Sequence, residues 1–156
     1  MSRFEIENLI EELEPISDLS KDTEDDIDTI LLAKKAENYL LSHPWCNSIE
    51  NGWLAVSWGY IMCVFLFKIT SDEEEVDDYV WMVVGDLPYV YVDIESATEP
   101  KEVLECYVDI LSDWVDAVES DDSVAHCYPV EVPPDKEYAR MLKSKLGFIS
   151  KEIAEW

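Results

Sequence analysis

Tyr60-Ile61-Met62-Cys63-Val64-Phe65-Leu66-Phe67-Lys68-Ile69-Thr70 and Tyr79-Val80-Trp81-Met82-Val83-Val84-Gly85-Asp86-Leu87-Pro88-Tyr89-Val90-Tyr91-Val92-Asp93-Ile94 are the stretches whose reading decides the fold. Both are rich in β-branched and aromatic residues, which suit a pleated surface better than a helix. Neither alternates in polarity. Ile61–Phe67 and Val80–Val84 are apolar at every position, so both faces of these strands need a cover, supplied by helices or by a partner chain. Gly85-Asp86-Leu87-Pro88 reads as a tight connection in which glycine supplies an unusual backbone angle and proline fixes the exit. Ser71–Asp78 holds six acids in eight residues and reads as a solvated turn. Upstream, Trp53–Trp58 forms another strand, separated from the next by a bulge or bend at Gly59. The expectation is an antiparallel sheet of about four strands, at 53–58, 60–70, 79–85 and 89–94.

Helical periodicity brackets this sheet. Residues 3–13 read as a short helix, with Phe4, Leu9, Ile10 and Leu13 on one side, and 16–22 as a linker. A second helix starts after Thr23, whose hydroxyl suits an N-cap, and its first turn holds Glu24, Asp25 and Asp26 at the positive end of the dipole. It ends before Pro44. A third helix follows Ser96 or Thr98 with Pro100 in its first turn, its apolar stripe running from Val103 to Val118. Tyr128–Val132 reads as a short extended piece. Pro133-Pro134 opens a last helix, apolar at Tyr138, Met141, Leu142, Ile149, Ile153 and Trp156 and weakened by Gly147. Helices before and after a run of strands give an α+β class. The expected organisation is a single domain over 1–156, with residues 1–20 as an N-terminal helical arm.

The 156 residues carry 36 acids against 11 bases, a formal net charge of −25. With 48% hydrophobic and 12% aromatic residues, this is no disordered acidic tail. Direct nucleic-acid binding is excluded because phosphate neutralisation needs clustered Lys and Arg, and anionic membranes are disfavoured on the same ground. Cys46, Cys63, Cys106 and Cys127 stand singly, without metal-ligand spacing, so neither metal nor cofactor is expected. A reduced, cytoplasmic protein is the expectation.

The charge is unevenly placed. Residues 1–130 hold 31 acids and 6 bases, whereas 131–156 hold 5 of each. On the third helix, Glu102, Glu105, Asp109, Asp113 and Asp116 follow one another by three or four residues, a line of carboxylates roughly 20 Å long. Like charges at these spacings oppose the helix by about 0.2–0.5 kcal/mol per pair. Only Lys101 lies nearby to relieve them. Glu95, Glu99, Glu119, Asp121 and Asp122 extend the negative zone. A solubilising surface accounts for part of such charge. A surface made to meet a strongly basic partner accounts for its concentration. The expected partner-binding residues are therefore Glu102, Glu105, Asp109, Asp113 and Asp116, then Asp72, Glu73, Glu74, Glu75, Asp77 and Asp78.

Other chemistry is weakly signalled. Asp22, Glu24, Asp26 and Asp28 alternate like a calcium loop, but Ile27 replaces its turn glycine and Ala33 its closing glutamate. His43 and His126 lie in turn contexts, and no phosphate-binding glycine loop occurs. The competing expectation is a small enzyme or small-molecule binder, with a pocket at the sheet end around Trp58, Asp86 and Tyr89.

The segment Tyr79-Val80-Trp81-Met82-Val83-Val84-Gly85-Asp86-Leu87-Pro88, the strand ending near Ile94, Ser96-Ala97-Thr98 and the long helix beyond resemble a family of uncharacterised small bacterial cytoplasmic proteins. That resemblance implies a small α+β domain and transfers no active site. By size and charge the chain is also similar to immunity proteins that neutralise basic bacterial toxins. The combined expectation is a non-enzymatic acidic protein that captures a basic toxin or nucleic-acid-binding protein, as an immunity protein or nucleic-acid mimic. A homodimer is the remaining expectation for its assembly.

Overall fold

The computed structural model describes residues 2–59 and 61–156; Tyr60, at the expected start of a strand, lies outside them. The fold is α+β, with four α-helices and one open antiparallel sheet among the described residues. The chain divides into two compact units, Met1–Pro100 and Lys101–Trp156.

The first unit begins with helix α1 (Arg3–Glu11), closed by a capping box in which Ser2 and Glu5 satisfy each other's backbone N–H groups. Strand β1 (Glu14–Pro15) and a 3-10 turn (Ile16–Asp18) lead to α2 (Glu24–Leu41), whose Thr23 hydroxyl accepts from the Asp26 N–H as expected. Strands β2 (Ser48–Ser57), β3 (Met62–Thr70), β4 (Tyr79–Gly85) and β5 (Val90–Asp93) follow. The sheet is a meander in chain order.

Two strand expectations need correction. The sheet has five strands, because the Glu14-Pro15 pair adds an edge to β2 through Glu14↔Leu54 and Pro15↔Trp53. A proline is tolerated there because an edge position need not donate to a ladder. Second, β2 starts at Ser48 rather than Trp53. Asn51-Gly52 suggests a break, but pairing of Ser48 with Thr70 and Ile49 with Ile69 carries the strand past it. Register shifts at Glu50 and Ala55 mark the irregularities that let the ladder continue.

One face of β3 and β4 packs on α2. Phe65, Phe67, Val80 and Met82 meet Leu32, Ala33, Ala36 and Leu40 in one buried cluster. The pairs Phe65↔Met82 and Phe67↔Val80 put these side chains on the same side of the sheet. On the opposite face Met62, Val64, Leu66, Trp81 and Val83 are buried too, and the Trp81 indole N–H donates to the Ala97 carbonyl at 2.9 Å. Both faces are therefore covered within one chain, as their continuous apolarity demanded. The α1 stripe is narrower than its periodicity suggested: Leu9 is buried, while Phe4 is 71% exposed.

The second unit contains α3 (Pro100–Glu119) and α4 (Lys136–Ile153). Asp135 caps α4 by accepting from the Glu137 N–H, so the helix opens just after Pro133-Pro134 rather than on them. Trp114 meets the edge of Tyr138 with ring centroids 6.0 Å apart. Leu142, Ile149 and Ile153 are buried as expected, joined by Ala139 and Leu146, whereas Met141 and Trp156 are exposed. Residues 128–132 form no strand. Pro129 and the two prolines that follow lack the N–H groups a ladder requires. Among the described residues no helix is long and apolar enough to cross a membrane.

Two glycines test this architecture in opposite directions. Gly85 has φ of 154°, and a Cβ there would collide with the Ile61 carbonyl oxygen. A Cβ at Gly147, on α4, would meet nothing within 4 Å. Gly85→Ala is expected to destabilise the fold by about 2–4 kcal/mol. Gly147→Ala should stabilise it by about 1 kcal/mol. Urea unfolding of both variants measures the difference, and equal shifts would contradict the turn geometry.

Candidate functional site

Helix α3 builds the carboxylate ridge from its own periodicity. At roughly 100° per residue, its five acids fall within an arc of about 80°. The buried stripe of Val103, Leu104, Tyr107, Leu111, Trp114 and Val118 lies across the helix from them. Glu105, Asp109, Asp113 and Asp116 are exposed, and Glu102 is half-buried. Each extra charge is costly here, because the last turn of α3 contains no basic residue and its acids face the negative end of the dipole.

Relief comes from α4, at one end only. The Lys143 ammonium donates to Glu119 at 3.3 Å, and that of Lys136 donates to Asp121 at 2.9 Å. Asp121 itself takes φ of 58°, and its N–H reaches the Val118 carbonyl while the Asp122 N–H reaches that of Ala117. This pattern is a Schellman stop, with aspartate where glycine is usual. The sequence counts Glu119 and Asp121 as extensions of the negative zone; the fold gives each a lysine. Among the described residues no ion pair engages Glu105, Asp109 or Asp113. The half-buried Cys106 beside them registers the field: burial, then Asp109, Glu102 and Glu105, push its thiol pKa up.

The acidic turn of the first unit is split by its one apolar residue. Val76 packs against the α2-side core, leaving Asp72, Glu73, Glu74, Glu75, Asp77 and Asp78 exposed around it. Glu75 and Asp77 border a cavity of about 320 Å³ that Asp93 and Glu95, at the end of β5, border as well. Trp45 and Tyr91 supply aromatic walls. Asp78 lines a neighbouring cleft with Arg3 and Lys68, and Asp77 and Glu95 touch both spaces. Burial, then Glu95 and Asp93, raise the Asp77 pKa. Tyr91 is raised by burial and by Asp93.

The cavity's aromatic wall belongs to an array that sequence reasoning missed. Tyr91 stands edge-on to Trp45 at 5.0 Å and to His43 at 5.3 Å. His43 meets Tyr39 at 4.9 Å, and Tyr39 meets Tyr89 at 5.8 Å. The His43 Nδ1–H donates to the Tyr39 carbonyl at 2.8 Å, which fixes the imidazole at the end of α2. Two spacings signalled this array: Tyr39 and His43 four apart on a helix end, and Tyr89 and Tyr91 two apart along β5.

The other candidate residues lie at the opposite end of β4. Asp86 is exposed, and its N–H donates to the Ile61 carbonyl at 3.0 Å. The Trp58 N–H donates to the Met62 carbonyl at 2.8 Å. Tyr89 packs against the α2-side core. Among the described residues no three His, Cys, Asp or Glu side chains are grouped to hold a metal ion. Comparison of the chain with protein-family models, with curated proteins and with solved structures finds no match.

The raised pKa of Asp77 has a stability consequence of definite sign. Its ionised form opposes folding, and the opposition disappears as pH falls through the folded-state pKa. Asp77→Asn is therefore expected to melt slightly higher than the parent at pH 7, with the gain shrinking as the carboxylates protonate. Thermal melts at pH 7 and at pH 4 check this; a lower melting temperature at pH 7 would contradict it.

Proposed function

We propose that the chain is a non-enzymatic binding protein that captures a basic protein partner on its acidic surface, as a toxin-neutralising immunity protein or a nucleic-acid mimic. The carrying observation is the ridge on α3. Glu105, Asp109 and Asp113 are exposed, lie on one face and, among the described residues, make no ion pair, while Lys136 and Lys143 of α4 pair with Asp121 and Glu119. Lysines interleaved on α3 would have supplied solubility at lower cost, since like-charge pairs oppose the helix. Asp109 and Asp113 are one helical turn apart, about 6 Å along the axis, a separation comparable to that of successive phosphates on a strand. A binding face for a nucleic-acid-handling protein has that spacing. Complementary charge of this kind raises the association rate and rejects wrong partners more than it adds affinity. The resemblance of residues 79–98 and the long helix beyond them to small bacterial cytoplasmic proteins belongs to the same proposal and supports a search for the partner in that compartment.

The test separates the ridge from bulk charge. Basic proteins captured from a bacterial cytoplasm and released by salt are identified, and the best of them is purified for kinetics. The triple variant Glu105→Lys, Asp109→Lys, Asp113→Lys is expected to slow association by about tenfold or more and flatten its salt dependence. A variant reversed at Glu131, Glu152 and Glu155 carries the same net charge and should keep most of the rate. Equal losses in both variants would overturn the ridge as the binding face.

A further inference from the structure

We propose that a second copy of this chain docks on the outer face of α4 with its own α3 ridge, so that two copies pair reciprocally. Helix α4 is anomalous in this molecule. Arg140, Met141, Ser144, Phe148 and Lys151 fall within an arc of about 100° at the helical period, across the helix from the buried Leu142, Leu146, Ile149 and Ile153. Phe148 is 58% exposed and Met141 36%, so this solvent side is not simply polar. In a chain with 36 acids, Arg140, Lys145 and Lys151 make no ion pair among the described residues, although Lys136 and Lys143 of the same helix do. A basic helix face that also exposes apolar side chains fits an acidic surface.

The chain supplies that surface itself. The acidic stripe of α3 and the basic stripe of α4 border one groove of about 210 Å³: Asp116 of the ridge lies on its α3 wall, and Lys143, Gly147 and Ser150 lie on its α4 wall. Gly147 stands about 20° from Arg140 and about 40° from Lys151 around α4, so the two stripes run side by side on one face of this unit. A two-fold axis along the groove sets each ridge against the basic stripe of the other copy, twice over, as an isologous interface requires. A face two helix diameters wide, about 20 Å, and about 27 Å long approaches the roughly 800 Å² per partner that a specific interface buries. An anionic membrane offers α4 the same charge but would also meet the acids of α3 beside it, which a second copy answers with its own cations. The net charge of each copy opposes association at long range, yet it is screened beyond about 8 Å at physiological salt, whereas the stripes meet in contact. The proposal goes beyond capture of a basic partner and adds a control on it: such a partner competes with the second copy for the same carboxylates.

Sedimentation velocity of the full chain at physiological salt measures the pairing directly. The expected result is a concentration-dependent dimer with a dissociation constant of about 10–100 µM. Asp109→Lys, Asp113→Lys makes both stripes basic, and Arg140→Glu, Lys151→Glu makes both acidic. Each variant alone is expected to stay monomeric where the parent is dimeric, and an equimolar mixture of the two should form a heterodimer. Bulk repulsion predicts the opposite for the first variant: each reversal adds two units of charge, taking the net from −25 to −21, and association would strengthen. A parent monomeric at every concentration, a dimer indifferent to both reversals, or variants folded by circular dichroism that do not pair on mixing would overturn the proposal. A monomeric parent that floats with phosphatidylserine vesicles, and no longer does so in Arg140→Glu, Lys151→Glu, would overturn it by giving the α4 face to a membrane. No partner protein enters these measurements, so a monomer that still captures a basic protein on the ridge leaves that reading standing.

Discussion

Both faces of β3 and β4 are used to build core, and that constraint governs where everything else goes. A sheet with one wet face carries polar side chains at about every second strand position. Here the central strands have no such face, and Lys68 near the end of β3 is their one charged residue. The acids therefore lie off these strands, among them those of the turn at 72–78, the end of β5, the exposed side of α3 and the helices α1 and α2. A chain with a net charge of −25 consequently carries that charge on its turns and helices.

Concentration has an electrostatic cost that the fold relieves selectively. Exposed ion pairs contribute little, about 0–1 kcal/mol each, so the pairs made by Lys136 and Lys143 matter more for their position than for their energy. They quiet the C-terminal end of the α3 ridge and leave Glu105, Asp109 and Asp113 facing solvent. There the unrelieved charge is open to an incoming cation.

The elements written in local chemistry were legible from the sequence. Thr23 as a cap, the strands over 79–85 and around 90–93, and the α3 stripe all follow from periodicity and side-chain type. What was not legible depends on partners distant in the chain. β2 extends to Ser48 because Thr70 and Ile69 are there to pair with, and Glu14-Pro15 becomes a strand because β2 offers it an edge. The ridge was readable because one helix holds it. The aromatic cavity was not, since Trp45, the acidic turn and the end of β5 meet only once the meander is closed. Val76, a lone apolar residue among acids, was the visible hint that this turn is anchored.

The central claim is that the middle of the α3 ridge is a strong, uncompensated negative field, and the thiol of Cys106 is placed to report it. The direct measurement is the pH dependence of Cys106 alkylation, followed by peptide mass spectrometry at low and high salt. The account predicts an apparent pKa above the ordinary thiol range that falls in high salt and falls again in Glu105→Gln, Asp109→Asn, because both remove charge that disfavours the thiolate. An apparent pKa indifferent to salt and to these two substitutions would contradict it.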